Sequence, residues 1–154
     1  MIRRDREDGR DEWLAMWNAG RACYQFVEAH RLEDETYRQS LLREIAWTTG
    51  LHTGKDFLVS GAPRAHLQFA EVEDCSADPV WFIVEFYLVE LMGKNHRRLL
   101  AENREVTWVT TEDITAGRAA DDRPLCGRLL ALLKQADILV SHQSDRPAGG
   151  SERG

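Results

Sequence analysis

Two spacings of hydrophobic residues divide this chain into predicted strands and helices. Short runs rich in β-branched and aromatic residues, bounded by turn-forming residues, are typical of strands. Such runs occur at residues 12–16, 22–26, 56–60, 66–72, 80–91 and 104–110. The run from 80 to 91, VWFIVEFYLVEL, is so densely apolar that we expect one long strand buried on both faces.

A second spacing, in which apolar residues recur every three or four positions, predicts a helix over residues 36–48. Its apolar face comprises Leu41, Leu42 and Ile45. Thr36 and Gln39 form a capping-box pair at its beginning, and Gly50 occupies the position where a glycine commonly ends a helix. Leucines at helical spacing predict another helix near residues 125–139.

Size and composition fit one globular domain with polar ends. The chain has 154 residues, of which 43% are hydrophobic, and this is enough to bury a single core. Residues 1–11 are mostly charged and residues 141–154 lack bulky apolar side chains, so we expect both segments to be poorly ordered. The predicted folded domain is therefore residues 12–140.

Cysteine content and charge bear on location and partners. The chain has three cysteines, namely Cys23, Cys75 and Cys126. Their number is odd and their spacing fits neither a disulfide framework nor a metal knuckle, so we expect free thiols in a reducing compartment. No secretory leader opens the chain, and its longest apolar run, residues 80–92, is too short to span a bilayer. These features predict a cytoplasmic protein. The net charge of −6 argues against broad nucleic-acid binding.

Residues 35–51, ETYRQSLLREIAWTTGL, carry a motif that is more specific than these patterns. The segment resembles the Nudix box, G-x5-E-x7-R-E-U-x-E-E-x-G-U, in which U is a bulky apolar residue. The residues that match in register are Glu35, Arg43, Glu44, Ile45, Gly50 and Leu51. Residues 24–26 (YQF) and 105–109 (EVTWV) resemble elements that flank the box in this family. Several matches in sequence order make coincidence less likely than the box alone would.

The resemblance covers residues 12–138 and implies an α/β fold, namely an α/β/α sandwich. Such a sandwich has a mixed sheet, with the box helix and a C-terminal helix on opposite sides. In this family the box helix presents carboxylates to magnesium or manganese, and the metal assists cleavage of nucleoside diphosphates linked to another group. Hard cations of this kind need oxygen ligands, preferably charged ones.

Three positions depart from the family pattern. Ala29 stands in place of the opening glycine, and Trp47 and Thr48 stand in place of the paired glutamates. Positions 44, 47 and 48 project from one helix face, so Glu44 is left as the one carboxylate there. Trp47 cannot bind magnesium, and we expect its indole to occupy space that metal and phosphate take in the family.

Each candidate site residue has a functional and an ordinary interpretation. The resemblance implies that Glu44 is a metal ligand or base and that Arg43 orients neighbouring groups. Glu28, in the loop before the box, could supply a replacement metal ligand, and an acid in the region of Glu85 is the catalytic base of some relatives. The ordinary alternatives are solvated carboxylates for Glu44 and Glu28, a structural ion pair for Arg43, and an edge position or salt bridge for Glu85.

Basic residues near the expected pocket mouth could bind phosphate without a metal. They are His30, Arg31, Lys55 and Arg64. Scattered surface cations are the ordinary alternative.

Three functions of different class remain. The first is a domain that binds a nucleotide or nucleoside-diphosphate derivative without efficient hydrolysis. The second is a divergent pyrophosphohydrolase, dependent on magnesium or manganese, with relocated acidic ligands. Those ligands would come from Glu28, Glu33, Asp34, Glu35 or Glu85. The third is a structural or protein-interaction domain whose cleft is filled by Trp47. The expected partners are a nucleotide-type small molecule and a second copy of the chain, and we expect no association with a membrane.

Overall fold

A computed structural model describes residues 1–72 and 78–139, so the predicted tail at 141–154 lies outside the described residues. The strands are β1 (Ile2–Asp5), β2 (Asp11–Asn18), β3 (Cys23–Gln25), β4 (Phe57–Val59), β5 (Ala65–Glu71), β6 (Val80–Phe86), β7 (Val89–Leu91) and β8 (Val106–Thr110). The helices are α1 (Tyr37–Thr49), α2 (Asn95–Glu102), α3 (Thr111–Ala116) and α4 (Gly127–Ala136). Within the described part of the chain, no helix is long and apolar enough to cross a membrane.

Six of the strands form one mixed sheet. Its longest strand, β2, pairs antiparallel with β1, β3 and β8. β1 pairs parallel with β7, which in turn pairs antiparallel with β4. β5 and β6 form a separate two-stranded antiparallel sheet. The predicted mixed sheet is therefore confirmed.

Alternation along β2 divides the core into two clusters, one on each face of the main sheet. Trp13 belongs to the cluster that includes Leu129 of α4. The next residue, Leu14, belongs to the cluster that includes Ile45 of α1. Because successive strand residues point to opposite faces, α1 and α4 lie on opposite sides of the sheet. This is the predicted α/β/α sandwich.

Helix α1 forms where its local signals predict it. The Thr36 hydroxyl accepts a hydrogen bond from the Gln39 backbone N–H at 3.2 Å, and the Gln39 side chain accepts one from the Thr36 N–H at 2.8 Å. Gly50 ends the helix with a φ of 73°, in the left-handed region that glycine adopts without strain. Ile45 is fully buried on the inner face.

The prediction of one long strand over residues 80–91 is wrong. The chain divides there into β6, which belongs to the small sheet, and β7, which belongs to the main sheet. Burial on both faces is also wrong for β6, since Trp81 and Ile83 are exposed. Apolar density signals a strand but does not tell which sheet each half of the run joins.

The expectation that residues 1–11 are poorly ordered is wrong for β1. Its backbone pairs with β2 on one side and with β7 on the other. Met1 and Ile2 are buried, while Arg3 forms an ion pair with Glu90 at 3.2 Å. Composition did not indicate this strand because main-chain hydrogen bonds form whatever the side chains are.

The expectation of free thiols is wrong for Cys23 and Cys126. These residues, in β3 and just before α4, form a disulfide whose Cα atoms are 5.1 Å apart. The same segments are also joined by backbone hydrogen bonds, from the Tyr24 N–H to the Pro124 carbonyl and from the Cys126 N–H to the Tyr24 carbonyl, both 2.9 Å. The beginning of α4 is thus fixed against β3. The disulfide removes the cysteine argument for a reducing compartment, and a cytoplasmic location stays a prediction.

Candidate functional site

A cleft of about 300 Å³ lies beside the N-terminal half of α1. Its walls come from the segment that follows β3, from β6, and from the first turns of α4. The predicted site residues that line it are Glu28, Ala29, His30, Arg31 and Glu85. Other lining residues include Arg21, Tyr37, Phe82, Tyr87 and Arg128. The fold therefore brings a part of the predicted site together with residues from distant parts of the chain.

Arg43 fixes the loop that forms one wall of this cleft. Its guanidinium donates to both carboxylate oxygens of Glu35, at 2.8 and 3.0 Å. It also donates to the carbonyl of His30 at 3.1 Å. The hydrogen bonds from Arg43 lower the pKa of Glu35, and the hydrogen bonds to Glu35 raise the pKa of Arg43. This geometry matches the ion-pair interpretation of Arg43.

Four basic side chains surround the cleft and are exposed: Arg21, His30, Arg31 and Arg128. The Arg21 guanidinium lies 3.6 Å from the Glu28 carboxylate. The Arg31 guanidinium lies 5.1 Å from the centre of the Tyr37 ring. A guanidinium has five N–H donors, so these contacts leave donors for an anionic ligand.

Glu85 is held in place by two neighbours. Its side chain is 13% exposed. One carboxylate oxygen accepts a hydrogen bond from the Tyr87 hydroxyl at 2.6 Å, and the other lies 2.9 Å from His66 Nδ1. Burial, together with the hydrogen bond to Glu85, raises the pKa of Tyr87 to about 12, so the phenol keeps its proton at neutral pH. The contact with His66 is a salt bridge only when that imidazole is protonated and is otherwise a hydrogen bond, and the Glu85 side chain also lines the cleft.

Two of the three substituted box positions, Trp47 and Thr48, lie on the C-terminal half of α1 together with Glu44, whereas Ala29 lies in the loop before the helix. The Glu44 carboxylate is 3.4 Å from the Arg43 guanidinium. The Thr48 hydroxyl donates to the Glu44 carbonyl at 2.8 Å. Trp47 is 85% exposed, so the expectation that its indole fills a cleft is wrong. Position 47 lies on the outer side of a helix whose inner side carries Ile45.

The residues present do not fit the magnesium or manganese site that the resemblance implies. The three candidate acids are held by different partners: Glu28 by Arg21, Glu44 by Arg43, and Glu85 by His66 and Tyr87. Across residues 1–72 and 78–139, no group of three or more His, Cys, Asp or Glu side chains could hold a metal ion. Hard cations favour several clustered carboxylates.

Lys55 and Arg64 lie outside the cleft, because neither is among the described residues that line it. Lys55 is exposed in the turn before β4, and Arg64 is exposed just before β5. Conversely, the sequence did not point to Arg21, in the turn between β2 and β3, or to Arg128 in α4. The pairing of β3 with the segment before α4 brings these two arginines to one cavity, and no local pattern marks either of them.

No family model and no curated protein matches this sequence. Two solved structures nevertheless resemble its fold. Ap4A hydrolase from C. elegans matches with a TM-score of 0.58 and 13% identity, over 93% of this chain and 91% of that one. The Nudix hydrolase RenU from M. smegmatis matches with a TM-score of 0.58 and 14% identity, over 92% of this chain and 83% of that one. The chain therefore has the Nudix-like fold that its box-like segment predicts.

Proposed function

We propose that this Nudix-like domain binds a nucleotide-type ligand, such as a nucleoside-diphosphate derivative, in the cleft beside α1 without efficient hydrolysis. The observation that carries the proposal is the composition of the cleft, in which exposed arginines lie next to aromatic side chains. Arginine donates directed hydrogen bonds to phosphate oxygens. Aromatic rings stack on nucleobases.

The size of the cleft agrees with a ligand that lies partly inside it and partly at its rim. Its volume of about 300 Å³ lies at the lower end of the range for small-molecule sites. Such a volume suits one nucleoside, with its phosphates at the rim beside Arg21 and Arg31. The relative from C. elegans is named as a hydrolase of Ap4A, a nucleotide, which agrees with this class of ligand.

Inefficient hydrolysis is proposed from the distribution of the acids. Glu44 is a single carboxylate on its helix face, and Thr48 and Trp47 beside it add no charged oxygen. We expect magnesium to bind at Glu44 with a dissociation constant of about 1 mM or weaker, as is typical of sites with few charged ligands. A weakly held ion would rarely be present to polarise a bound phosphate.

Titration calorimetry with ADP and GDP tests this proposal, first in the presence of EDTA and then with magnesium. We expect binding that does not require the metal. Arg31→Ala should weaken binding about tenfold, because a charge-assisted hydrogen bond contributes about 1.5–3 kcal/mol. Arg64→Ala is the matched control, since it removes an exposed arginine that does not line the cleft. Equal losses in both variants would contradict binding in the cleft.

The second candidate is the divergent hydrolase, and one observation favours it: Glu28 and Glu85 line the same cleft. Binding that requires manganese, together with pyrophosphatase activity that Glu28→Gln abolishes, would establish this function instead. If the protein binds no nucleotide under either condition, a structural or protein-interaction domain would be the remaining function. That hypothesis placed the Trp47 indole inside the cleft, but the Trp47 side chain is exposed.

A further inference from the structure

We propose that the Glu85 carboxylate recognises the base of the ligand through hydrogen bonds and that the ligand is a guanine nucleotide. The inference rests on the proposed function, because it concerns the same cleft. It assigns to Glu85 a role in specificity in place of metal binding or base catalysis. Glu85 can accept hydrogen bonds from a base only at positions of its carboxylate that its neighbours do not already occupy.

The Glu85 carboxylate has an acceptor left on each oxygen. An ionised carboxylate offers about four lone-pair positions, two on each oxygen. The Tyr87 hydroxyl takes one position on Oε2, at 2.6 Å, and His66 Nδ1 takes one on Oε1, at 2.9 Å. Among the described residues, no other hydrogen bond reaches this carboxylate, so two neighbouring acceptor positions remain on a side chain that lines the cleft. Both partners also restrict rotation of the carboxylate, so these acceptors are fixed before a ligand arrives.

The protons around Glu85 are arranged to keep it an acceptor. The Tyr87 hydroxyl donates to Oε2, as the 2.6 Å contact shows. His66 Nε2 lies 3.1 Å from the side-chain amide nitrogen of Gln68, which is a donor. His66 then accepts at Nε2 and carries its proton on Nδ1, from which it donates to Glu85. Each neighbour thus donates to the carboxylate, and none competes with a ligand for the remaining acceptors.

Two fixed, adjacent acceptors select among the bases. Guanine presents two adjacent donors on its Watson–Crick edge, the N1–H and the 2-amino group. Adenine and cytosine each place a ring-nitrogen acceptor next to their amino group, and uracil places one N–H between two carbonyls. A carboxylate can therefore accept two hydrogen bonds from guanine. With the other bases, a ring nitrogen or carbonyl acceptor would face a carboxylate oxygen, and this contact is repulsive. Sites of this kind reject ligands that leave a buried polar group unpaired.

The remainder of the cleft agrees with this orientation of the ligand. Glu85 is nearly buried, whereas Arg21 and Arg31 are exposed. A base beside Glu85 would leave its phosphates at the rim, close to the arginines and away from the buried carboxylate. Tyr37 and Phe82 add aromatic surface to the same cleft.

Titration calorimetry with GDP, IDP, ADP and UDP, all in EDTA, tests the inference. IDP differs from GDP only by the missing 2-amino group, so it reports one hydrogen bond. We expect GDP to bind about tenfold more tightly than IDP, because IDP forms one fewer hydrogen bond to the charged carboxylate, and to exceed ADP and UDP by more. Glu85→Gln should bring the affinities for GDP and ADP close together. Glu90→Gln, an exposed acid on β7, is the matched control and should keep the wild-type order.

The outcomes separate the inference from the function on which it rests. Equal binding of all four nucleotides would overturn the role of Glu85 and leave the proposed function intact. Binding of none would overturn the proposed function itself. A GDP preference that persists in Glu85→Gln would show that another residue reads the base. If the variant does not fold, equal binding of GDP and IDP by the wild-type protein still overturns the inference, because that comparison needs no substitution.

Discussion

The two halves of α1 present different chemistry to a ligand. The N-terminal half places Tyr37 and Ser40 on the cleft. The C-terminal half holds Glu44 in an ion pair and leaves Trp47 in solvent. Both halves share one buried face, so the fold constrains them in the same way. A helix can therefore keep its place in the fold and its part of a cleft while the positions that bind metal in the family that the box resembles carry other side chains.

The largest expected effect concerns the covalent link on the cleft side of the molecule. Cys23 and Cys126 are 103 residues apart. Replacing both by serine should lower the free energy of unfolding by about 4 kcal/mol, because a crosslink across so long a loop restricts the unfolded chain. Nucleotide affinity should fall as well, since Cys126 lines the cleft. Urea unfolding measures the first effect, and Cys75→Ser, which leaves this disulfide in place, is the control. Unchanged stability in the double variant would show that the link does not form.

A second pair of substitutions compares the inner and outer sides of α1. Ile45→Ala should lower the free energy of unfolding by about 2–5 kcal/mol, because it leaves a cavity in the core. Trp47→Ala should change it by less than about 0.5 kcal/mol, as is usual for exposed positions. Thermal or urea unfolding of the two variants makes the comparison. A loss for Trp47→Ala that approached that of Ile45→Ala would mean that the indole packs against the protein.

The third prediction concerns a variant in which acidic residues are restored to the C-terminal half of α1. With Trp47→Glu and Thr48→Glu, three carboxylates including Glu44 would share one helix face. Magnesium affinity should rise roughly tenfold or more, because charge count sets affinity for hard cations. Since Trp47 is exposed, we expect the variant to stay folded. Calorimetry with magnesium chloride measures the gain, and adding Glu44→Gln should reverse part of it.

Adding Glu28→Gly and Ala29→Gly to this variant tests the loop. We expect hydrolysis to lag behind metal binding in the double variant, because catalysis tolerates only small displacements of the reacting groups. The fourfold variant should therefore recover more pyrophosphatase activity on nucleoside-diphosphate derivatives than the double variant. If it stays folded yet gains neither metal affinity nor activity, the substituted glutamates do not explain the inefficient hydrolysis that we propose. The interaction domain would then be favoured.

The smallest effect concerns the ion pair that anchors the cleft loop to α1. The pKa of Glu35 is lowered by its hydrogen bonds with Arg43. The pair therefore stabilises the fold above the ordinary pKa of a glutamate, and this contribution is lost as the pH falls through the lowered pKa. Glu35→Gln should be less stable than wild type at neutral pH, and the difference should vanish in strong acid. Thermal unfolding across this pH range checks it, with the nearby exposed Glu33→Gln expected to differ little from wild type throughout.

Local signals in the sequence account for the parts of the fold that could be predicted. The capping pair Thr36 and Gln39 and the terminal Gly50 all act within a single helix, so their pattern can be read from neighbouring residues. Contacts between distant segments could not be read in this way. The disulfide between Cys23 and Cys126 and the division of residues 80–91 between two sheets depend on where the whole chain goes.

The same limit applies to the candidate site. Glu28 and Arg31 could be identified because they lie next to the box-like segment along the chain. Arg21 and Arg128 could not, since they reach the cleft only through the pairing of β3 with the segment before α4. Helical spacing places position 47 on one face with Glu44, but it does not tell how much of that face other elements cover.

Strand β6 also affects how the protein behaves in concentrated solution. Within the described residues it pairs with β5 alone, so its other edge presents unpaired backbone N–H and C=O groups. Its sequence, VWFIVEF, combines high β-propensity with a single charge, a composition that favours edge-to-edge aggregation. That charge is Glu85, and repulsion between Glu85 side chains opposes the stacking of copies in register.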